Sequence, residues 1–313
     1  MRNLKLAAVL VFLAVSAQGF PFWKTKKTDA LAQAKTLYSA GNYAGAETEL
    51  QRVLAGAADS ETRKPAYWFL GQSQERLGKP DAALSTYQVA ARIYSKDMQL
   101  LLALAGLYYR TGLLDRAEPV YRDMLKIDKG SFEAHIGLAR TYARQGFFSR
   151  AEGQYKAALE SMAVRDPELW AGYADCLLRQ RKYQEAMLAL EKPLAFRPSD
   201  ADLWLLAARI RREQGQKSEA LGLIEKAALL APQRKDIILR QALWLISDGK
   251  PNEGGGIALS VLQKEPGEPL ASWAEALALI SAGDKQAAVP YLEAADRGTT
   301  FISAVAKKML AGD

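Results

Sequence analysis

The chain has 313 residues, of which 49% are hydrophobic and 25% are charged, and its formal net charge is +7. This composition predicts a folded protein with a sizeable core and argues against disorder. Nucleic-acid binding is not favoured, because most Lys and Arg residues alternate with Glu and Asp instead of gathering on one face. One cysteine and one histidine provide neither an intrachain disulfide nor a metal cluster, so no cofactor or metal is expected.

The first 19 residues have the pattern of a secretory signal peptide. Arg2 and Lys5 form a short basic region, an apolar run follows over 6–15, and small residues come next. Cleavage after Ala17 or after Gly19 would suit a signal peptidase and would leave a net charge of +5. An uncleaved N-terminal anchor is the alternative, since the uncharged stretch approaches the length of a membrane span. The sequence predicts an exported chain that is soluble and periplasmic after cleavage.

Residues 20–26 form an aromatic and basic lead-in without periodicity, for which the sequence predicts a flexible segment. A repeated unit follows, and its clearest copies cover 98–131 and 132–165. Matching residues of these copies are 34 positions apart: Leu104, Tyr108, Gly112, Ala117 and Tyr121 recur as Leu138, Tyr142, Gly146, Ala151 and Tyr155. Such a period predicts helix-turn-helix pairs, in which small residues let the helices approach and each pair buries the open face of its neighbour.

This pattern resembles the tetratricopeptide repeat (TPR), and the resemblance covers about 27–310. It implies an all-α fold, a right-handed α-solenoid of about eight helix pairs, ending in a short capping helix and tail over 303–313. The repeat units are predicted near residues 27–60, 64–97, 98–131, 132–165, 167–200, 201–234, 235–268 and 269–302.

Three positions depart from the repeat pattern. Arg181 stands where the turn glycine of the fifth unit would be. Pro193 falls in the middle of a helix and is expected to bend it. Three glycines, 254–256, open the second helix of the seventh unit, and because glycine is costly in a helix interior, that helix is expected to be frayed or to begin late.

Little in the chain suggests catalysis, and the chain is predicted not to be an enzyme. His135 occupies the position of Trp170 and Trp204 in later units, which favours a core or half-buried role over a catalytic or ligand role. Cys176 has the spacing of a core residue, which favours a buried thiol over a reactive one. The glycine run lacks the Lys-Ser/Thr that completes a phosphate-binding loop.

In TPR proteins the concave wall comes mainly from the first helix of each pair, so the resemblance implies that these helices bind the partner. Their wall positions carry seven arginines: Arg76, Arg110, Arg140, Arg144, Arg179, Arg209 and Arg212. Guanidinium groups could hold the carboxylates of an acidic segment bidentately. The alternative is that basic residues near the ends of these helices only complement the helix dipole. Some TPR proteins bind the C-terminal carboxylate of chaperones with Lys and Asn residues at set positions of the first helices. That clamp is not reproduced here, because one such position carries Lys35, Gln72 and Gly106 in the first three units.

The same wall positions become apolar in the last two units. They carry Leu239, Leu243, Ile246, Trp273, Leu277 and Ile280. If exposed, these residues would form a docking surface for an amphipathic or extended segment. The alternative is that they bury one another.

These observations predict a non-enzymatic scaffold of the bacterial cell envelope, which binds another envelope protein or an acidic peptide segment in the groove of a TPR superhelix. The alternative is a structural subunit of a larger periplasmic assembly, such as a secretion, motility or outer-membrane complex. Such a subunit would pack through its convex face and end repeats, and it could self-associate. Neither a nucleic acid nor a metal is expected as a partner.

Overall fold

A computed structural model describes residues 22–56, 59–161, 167–296 and 300–310, so the predicted signal peptide lies outside the described residues. This part of the chain consists of helices and contains no strand, which confirms the all-α class. None of the helices in these ranges has the length and apolar character that crossing a membrane requires. The chain divides into two compact units, Met1–Gln145 and Gly146–Asp313.

The described residues of the first unit form seven helices. They are α1 (Phe22–Ser39), α2 (Tyr43–Ala55), α3 (Ser60–Arg76), α4 (Pro80–Ile93), α5 (Met98–Arg110), α6 (Leu114–Ile127) and α7 (Phe132–Gln145). Helix α1 begins inside the segment 20–26, for which the sequence predicts a flexible lead-in. A helix can extend past its packed face, because each added residue contributes a backbone hydrogen bond.

The second unit contains the remaining helices. They are α8 (Phe148–Ser161), α9 (Pro167–Arg179), α10 (Tyr183–Phe196), α11 (Ala201–Glu213), α12 (Lys217–Leu230), α13 (Lys235–Ser247), α14 (Pro251–Lys264), α15 (Pro269–Ser281), α16 (Lys285–Ala295) and α17 (Thr300–Leu310). Helix α17 packs against α15 and α16, where the sequence predicts a capping helix. Its Ala306 is buried in a cluster with Ala276, Ala288 and Leu292.

Within each unit, consecutive helices pack against each other, and several odd-numbered helices also pack on the next odd-numbered helix. These second contacts join α1 to α3 and α5 to α7 in the first unit, and α9 to α11, α13 to α15 and α15 to α17 in the second. The odd-numbered helices α1 to α15 correspond to the first helices of the predicted pairs. Side chains near the ends of neighbouring odd-numbered helices can therefore meet, and this arrangement positions the predicted arginines.

A fully buried alanine recurs at one position of the even-numbered helices. It is Ala46, Ala83, Ala117, Ala151, Ala186, Ala220 and Ala288. In α14 the same position is Gly254, where a Cβ would lie 2.5 Å from the carbonyl oxygen of Ala242 in α13. Helix α14 runs without interruption from Pro251, so the late or frayed start that the sequence predicts is not observed. The physical reason is that glycine lets α14 approach its neighbour more closely than alanine would.

The turns inside the helix pairs share one backbone conformation. A glycine with φ between 70° and 93° occupies the turn in seven repeats: Gly41, Gly78, Gly112, Gly146, Gly215, Gly249 and Gly283. Arg181 takes this place in the fifth repeat with φ of 61°. Its backbone N–H donates to the Leu178 carbonyl oxygen at 2.9 Å, and that of Lys182 donates to the Leu177 carbonyl oxygen at 3.0 Å. The fifth turn thus keeps the backbone form of the others with an arginine in the left-handed region.

Candidate functional site

The seven predicted arginines lie in the C-terminal halves of odd-numbered helices and are divided between the two units. Arg76, Arg110, Arg140 and Arg144 belong to the first unit, and Arg179, Arg209 and Arg212 belong to the second. In the described part of the chain, Arg76 and Arg140 are exposed and form no ion pair. The others have partners, and these partners differ between the units.

Two arginines of the first unit are held by the preceding odd-numbered helix. Arg110 of α5 forms an ion pair with Glu75 of α3. The guanidinium of Arg144 lies 4.8 Å from the ring centre of Tyr109, and its Nη1 donates to the Tyr109 carbonyl oxygen at 2.6 Å. The donors of these two side chains are thus partly used within the protein.

A buried tyrosine fixes the carboxylate that pairs with Arg110. The hydroxyl of Tyr87 donates to Glu75 Oε1 at 3.0 Å, and Gln72 Nε2 donates to that hydroxyl at 2.8 Å. Burial, reinforced by the charge of Glu75, raises the pKa of Tyr87 well above its usual value. Tyr87 therefore remains a hydrogen-bond donor at neutral pH and orients Glu75 toward Arg110.

The second unit contains a pocket of about 320 Å³ at the C-terminal ends of α9 and α11 and along α13. We call it the arginine pocket. Its lining residues are Leu178, Arg179, Arg181, Tyr183, Arg209, Arg212, Glu213, Arg240 and Trp244. The structure thus brings the three predicted arginines of this unit together. It adds two that the predicted wall positions did not include, Arg181 in the turn after α9 and Arg240 in α13.

Aspartates beside the arginine pocket position the three predicted arginines. Asp175 Oδ1 lies 3.2 Å from Arg209 Nη1, and its Oδ2 lies 3.7 Å from Arg179 Nε. Arg212 forms an ion pair with Asp248, and its guanidinium lies 5.1 Å from the Trp244 ring centre. Each of these arginines therefore has a fixed place in the wall of the pocket.

The carboxylate of Asp248 is almost completely buried and also contacts Lys217 Nζ at 3.2 Å. Burial alone would raise the pKa of Asp248, but hydrogen bonds from Arg212 and Lys217 outweigh it and lower that pKa below its usual value. Asp248 is therefore charged at neutral pH and anchors the ends of α11 and α12.

Arg181 and Arg240 differ from the other three arginines of the pocket. Both are exposed, and neither forms an ion pair with any residue in the described ranges. The left-handed backbone of Arg181 costs a non-glycine residue roughly 1–2 kcal/mol. The pocket thus contains two guanidinium groups that form no ion pair within the described residues.

Fewer residues of the predicted apolar wall reach the surface than the sequence predicts. Leu239 is 1% exposed and Ile246 is 8% exposed, so both are core residues and offer no surface. The other four residues of this wall are half-buried. Leu243 and Leu277 pack against the cluster around Ile246 and Ala274, and Trp273 and Ile280 pack against the cluster under α17. Consecutive odd-numbered helices pack closely enough here to bury part of the wall.

His135 and Cys176 both make structural contacts. His135 is half-buried, and its Nε2 lies 3.0 Å from the carbonyl oxygen of Lys129, six residues earlier. Trp204, at the matching position of a later unit, makes the same kind of contact: its Nε1 donates to the carbonyl oxygen of Pro198, also six residues earlier, at 2.7 Å. Cys176 is buried, and burial, reinforced by the charge of Glu152, raises its pKa to about 11. The thiol is therefore protonated at neutral pH and is a poor nucleophile. In the described residues, no three side chains of His, Cys, Asp or Glu converge to hold a metal ion.

Paired helices, glycine turns and buried alanines at a period near 34 residues define a helical-repeat protein. A family model described as tetratricopeptide repeat matches residues 31–97, 70–132 and 136–196. These matches cover more than half of the chain, which therefore belongs to the tetratricopeptide repeat family. TPR folds are typically non-enzymatic interaction scaffolds.

Solved structures with similar folds are also TPR proteins. A tetratricopeptide repeat protein from Parabacteroides merdae matches with a TM-score of 0.63 and 17% identity, covering 82% of this chain and 99% of that one. The C-terminal part of a TPR repeat-containing protein from Cytophaga hutchinsonii has the same score and identity and covers 78% of this chain and 98% of that one. The protein MamA matches with a TM-score of 0.50 and 18% identity over 54% of this chain and 92% of its own. At these identities the likeness shows the fold alone. Among curated proteins, none matches significantly.

Proposed function

We propose that this chain is a non-enzymatic scaffold of the bacterial cell envelope that binds an acidic segment of a partner protein through its odd-numbered helices. The observation that carries this proposal is the arginine pocket, in which five guanidinium groups line one cavity. Arginine forms planar, bidentate contacts with carboxylates, so such a cavity favours an acidic partner. The TPR fold supports a protein partner, and the signal-peptide pattern of the first 19 residues supports an envelope location.

A structural subunit of a larger periplasmic assembly is the second candidate. Exposed apolar side chains on even-numbered helices favour it, since Leu188, Phe196 and Leu229 are all more than half exposed. Packing between copies or with a ring partner would bury these side chains. Sedimentation of the mature chain separates the candidates, because only the second predicts an oligomer that grows with concentration.

The test of the first candidate is co-purification of partners from envelope extract. One variant carries Arg181→Glu and Arg240→Glu, and a second carries Arg76→Glu and Arg140→Glu. These four arginines form no ion pair within the described residues, so we expect the fold to survive, with circular dichroism as the check. The control is Arg92→Glu, an exposed residue of α4.

We expect parent and control to capture the same partner, and at least one of the two charge-reversed variants to lose it. A partner that all four proteins capture equally would show that the arginines are not a binding surface. For the location, the exported form should begin at Gln18 or Phe20 by N-terminal sequencing. An intact chain found only in the cytoplasm would overturn the envelope assignment.

A further inference from the structure

The arginine pocket has more positive charge than its own carboxylates neutralise. Asp175, Asp248 and Glu213 are the acidic residues that line it or pair with its walls. They stand against five guanidinium groups and the ammonium of Lys217. Three positive charges are left uncompensated, which in a partly enclosed cavity favours an anionic ligand.

Arg179 and Arg209 share Asp175, and Arg212 shares Asp248 with Lys217. Arg181 and Arg240 are the two arginines of the pocket that form no ion pair in the described part of the chain. Each of these two guanidinium groups therefore retains the donors that can hold one carboxylate bidentately. Two such groups lining one cavity can hold two carboxylates.

The backbone of Arg181 points to a role for its side chain. Seven other turns of this type contain glycine, which adopts the left-handed region without strain. The fifth turn makes the same hydrogen bonds with a strained arginine, so the turn itself does not require this residue. Strained residues are concentrated at functional sites, and here the strained residue lines the pocket.

The size and walls of the pocket indicate the kind of ligand. A volume of about 320 Å³ is at the lower end of the range for ligand sites, which suits a pair of side chains rather than a nucleotide. Leu178, Tyr183 and Trp244 provide apolar surface among the guanidinium groups. Acidic side chains have a short apolar stem, which matches the apolar residues of the pocket, and a charged tip, which matches its guanidinium groups.

We propose that the arginine pocket anchors the partner by binding two neighbouring carboxylates of an acidic peptide segment, and that Arg181 and Arg240 are its specificity-determining residues. This inference rests on the proposed scaffold function and names the site and the chemistry of its ligand.

The test is a fluorescence anisotropy titration of the mature chain with short labelled peptides. One peptide has Asp-Glu at the centre of a Gly/Ser sequence, its twin has Asn-Gln, and a third has phosphoserine. We expect the Asp-Glu peptide to bind and the twin to bind at least tenfold more weakly, about the factor for one lost charge-assisted contact. Added salt should weaken the binding, because the interaction is ionic and exposed.

Arg181→Gly and Arg240→Gln should each lower affinity for the Asp-Glu peptide about tenfold. Arg92→Gln is the matched control and should bind as the parent does. Arg181→Gly restores the glycine of the other turns, so its thermal midpoint should rise while its affinity falls. A loss of binding in this variant can therefore not be attributed to misfolding.

Three outcomes would overturn the proposal: equal binding of the Asp-Glu peptide and its twin, parent-like affinity in both pocket variants, or binding of the phosphoserine peptide alone. If both pocket variants bind normally while Arg76→Glu with Arg140→Glu abolishes binding, the acidic-partner scaffold stands and only the pocket assignment fails. If the parent binds no peptide and the capture experiment finds no arginine-dependent partner, the scaffold proposal fails as well.

Discussion

The two units place arginines at similar helix positions but use them differently. In the first unit, Arg110 and Arg144 contact the preceding odd-numbered helix, and these contacts use part of their donor capacity. In the second unit, five guanidinium groups line one cavity, and two of them have no carboxylate partner in the described residues. Within the described residues, each unit has arginines without an ion pair, among them Arg76 and Arg140 in the first, and Arg181 and Arg240 in the second. The units differ in that Arg181 and Arg240 line one cavity with three further arginines.

The largest expected effect on stability comes from a change in α14. This helix packs against α13, and α13 carries Arg240 and Trp244. Gly254→Ala would place a Cβ 2.5 Å from the Ala242 carbonyl oxygen and 2.6 Å from Ile246 Cγ1. We expect this overpacking to lower the free energy of unfolding by about 2–3 kcal/mol. Hydrogen exchange should accelerate in α13 and α14 and remain unchanged in α3 to α5.

Gly256→Ala is the matched control for this change, because no atom of another helix lies within 4 Å of the added Cβ. It should raise stability by about 0.5–1 kcal/mol, since alanine is the better helix former. Equal destabilisation by the two substitutions would show that helix propensity, not close packing, governs this helix.

The next effect compares the ion pairs of the two units. Asp248→Asn should destabilise the protein by about 2–3 kcal/mol in urea unfolding, because it leaves the largely buried Arg212 without its counter-charge. Glu75→Gln should cost less, about 1 kcal/mol, because its partner Arg110 is 56% exposed. The reverse ranking would show that burial of the ion pair does not govern its contribution to stability.

Asp248 also gives a pH prediction. Its pKa is lowered in the folded state from an ordinary value of 3.8, so its contribution is present above that value and is lost as pH falls through the lowered pKa. Urea unfolding between about pH 2 and pH 5 should therefore show an acid-induced loss of stability that is smaller in Asp248→Asn. Identical acid profiles of parent and variant would exclude Asp248 as a source of this loss.

A smaller effect concerns the turns. Arg181→Gly should raise stability by about 1 kcal/mol, and Gly112→Arg in the first unit should lower it by about 1–2 kcal/mol. Calorimetry of the two variants measures the free energy of unfolding when a non-glycine residue is removed from a left-handed turn position and when one is introduced there. A fall in stability on Arg181→Gly would mean that its side-chain contacts outweigh the strain.

The smallest effect concerns Glu275 of α15. Its side chain is buried, and its Oε2 has no hydrogen-bond partner among the described residues. Burial raises its pKa above the ordinary value of 4.5, so its stabilising contribution is present below that pH and is lost as pH rises through the raised pKa. Glu275→Gln should therefore be more stable than the parent at about pH 8 and nearly equal to it at about pH 4. An equal difference at both pH values would exclude ionisation of Glu275 as the cause.

Much of the fold could be predicted from the sequence, because its determinants repeat. The turn glycines and buried alanines recur at nearly constant spacing, and Arg181 could be assigned to a turn because the neighbouring units align around it. The continuity of α14 could not be predicted. Glycine is unfavourable in an isolated helix, and only the close contact with Ala242 shows why it is needed there.

The candidate site could be predicted only in part. Arg179, Arg209 and Arg212 follow from family wall positions, whereas Arg240 is three residues before the wall residue Leu243 and Arg181 is in a turn. Their convergence depends on how α9, α11 and α13 are stacked, and a linear pattern does not contain this information. The burial of Ile246 has the same origin, because a neighbouring helix covers it.

The left-handed arginine in the fifth turn also bears on how such a protein can evolve. A single base change converts a glycine codon into an arginine codon, so each glycine turn of the array is one mutation away from the state seen at Arg181. The strain of roughly 1–2 kcal/mol is small enough for a folded domain with a modest stability margin to tolerate. A repeat protein with this turn can thus acquire new charged groups in the turns of its helix pairs without changing its repeat length, its turn conformation or its core.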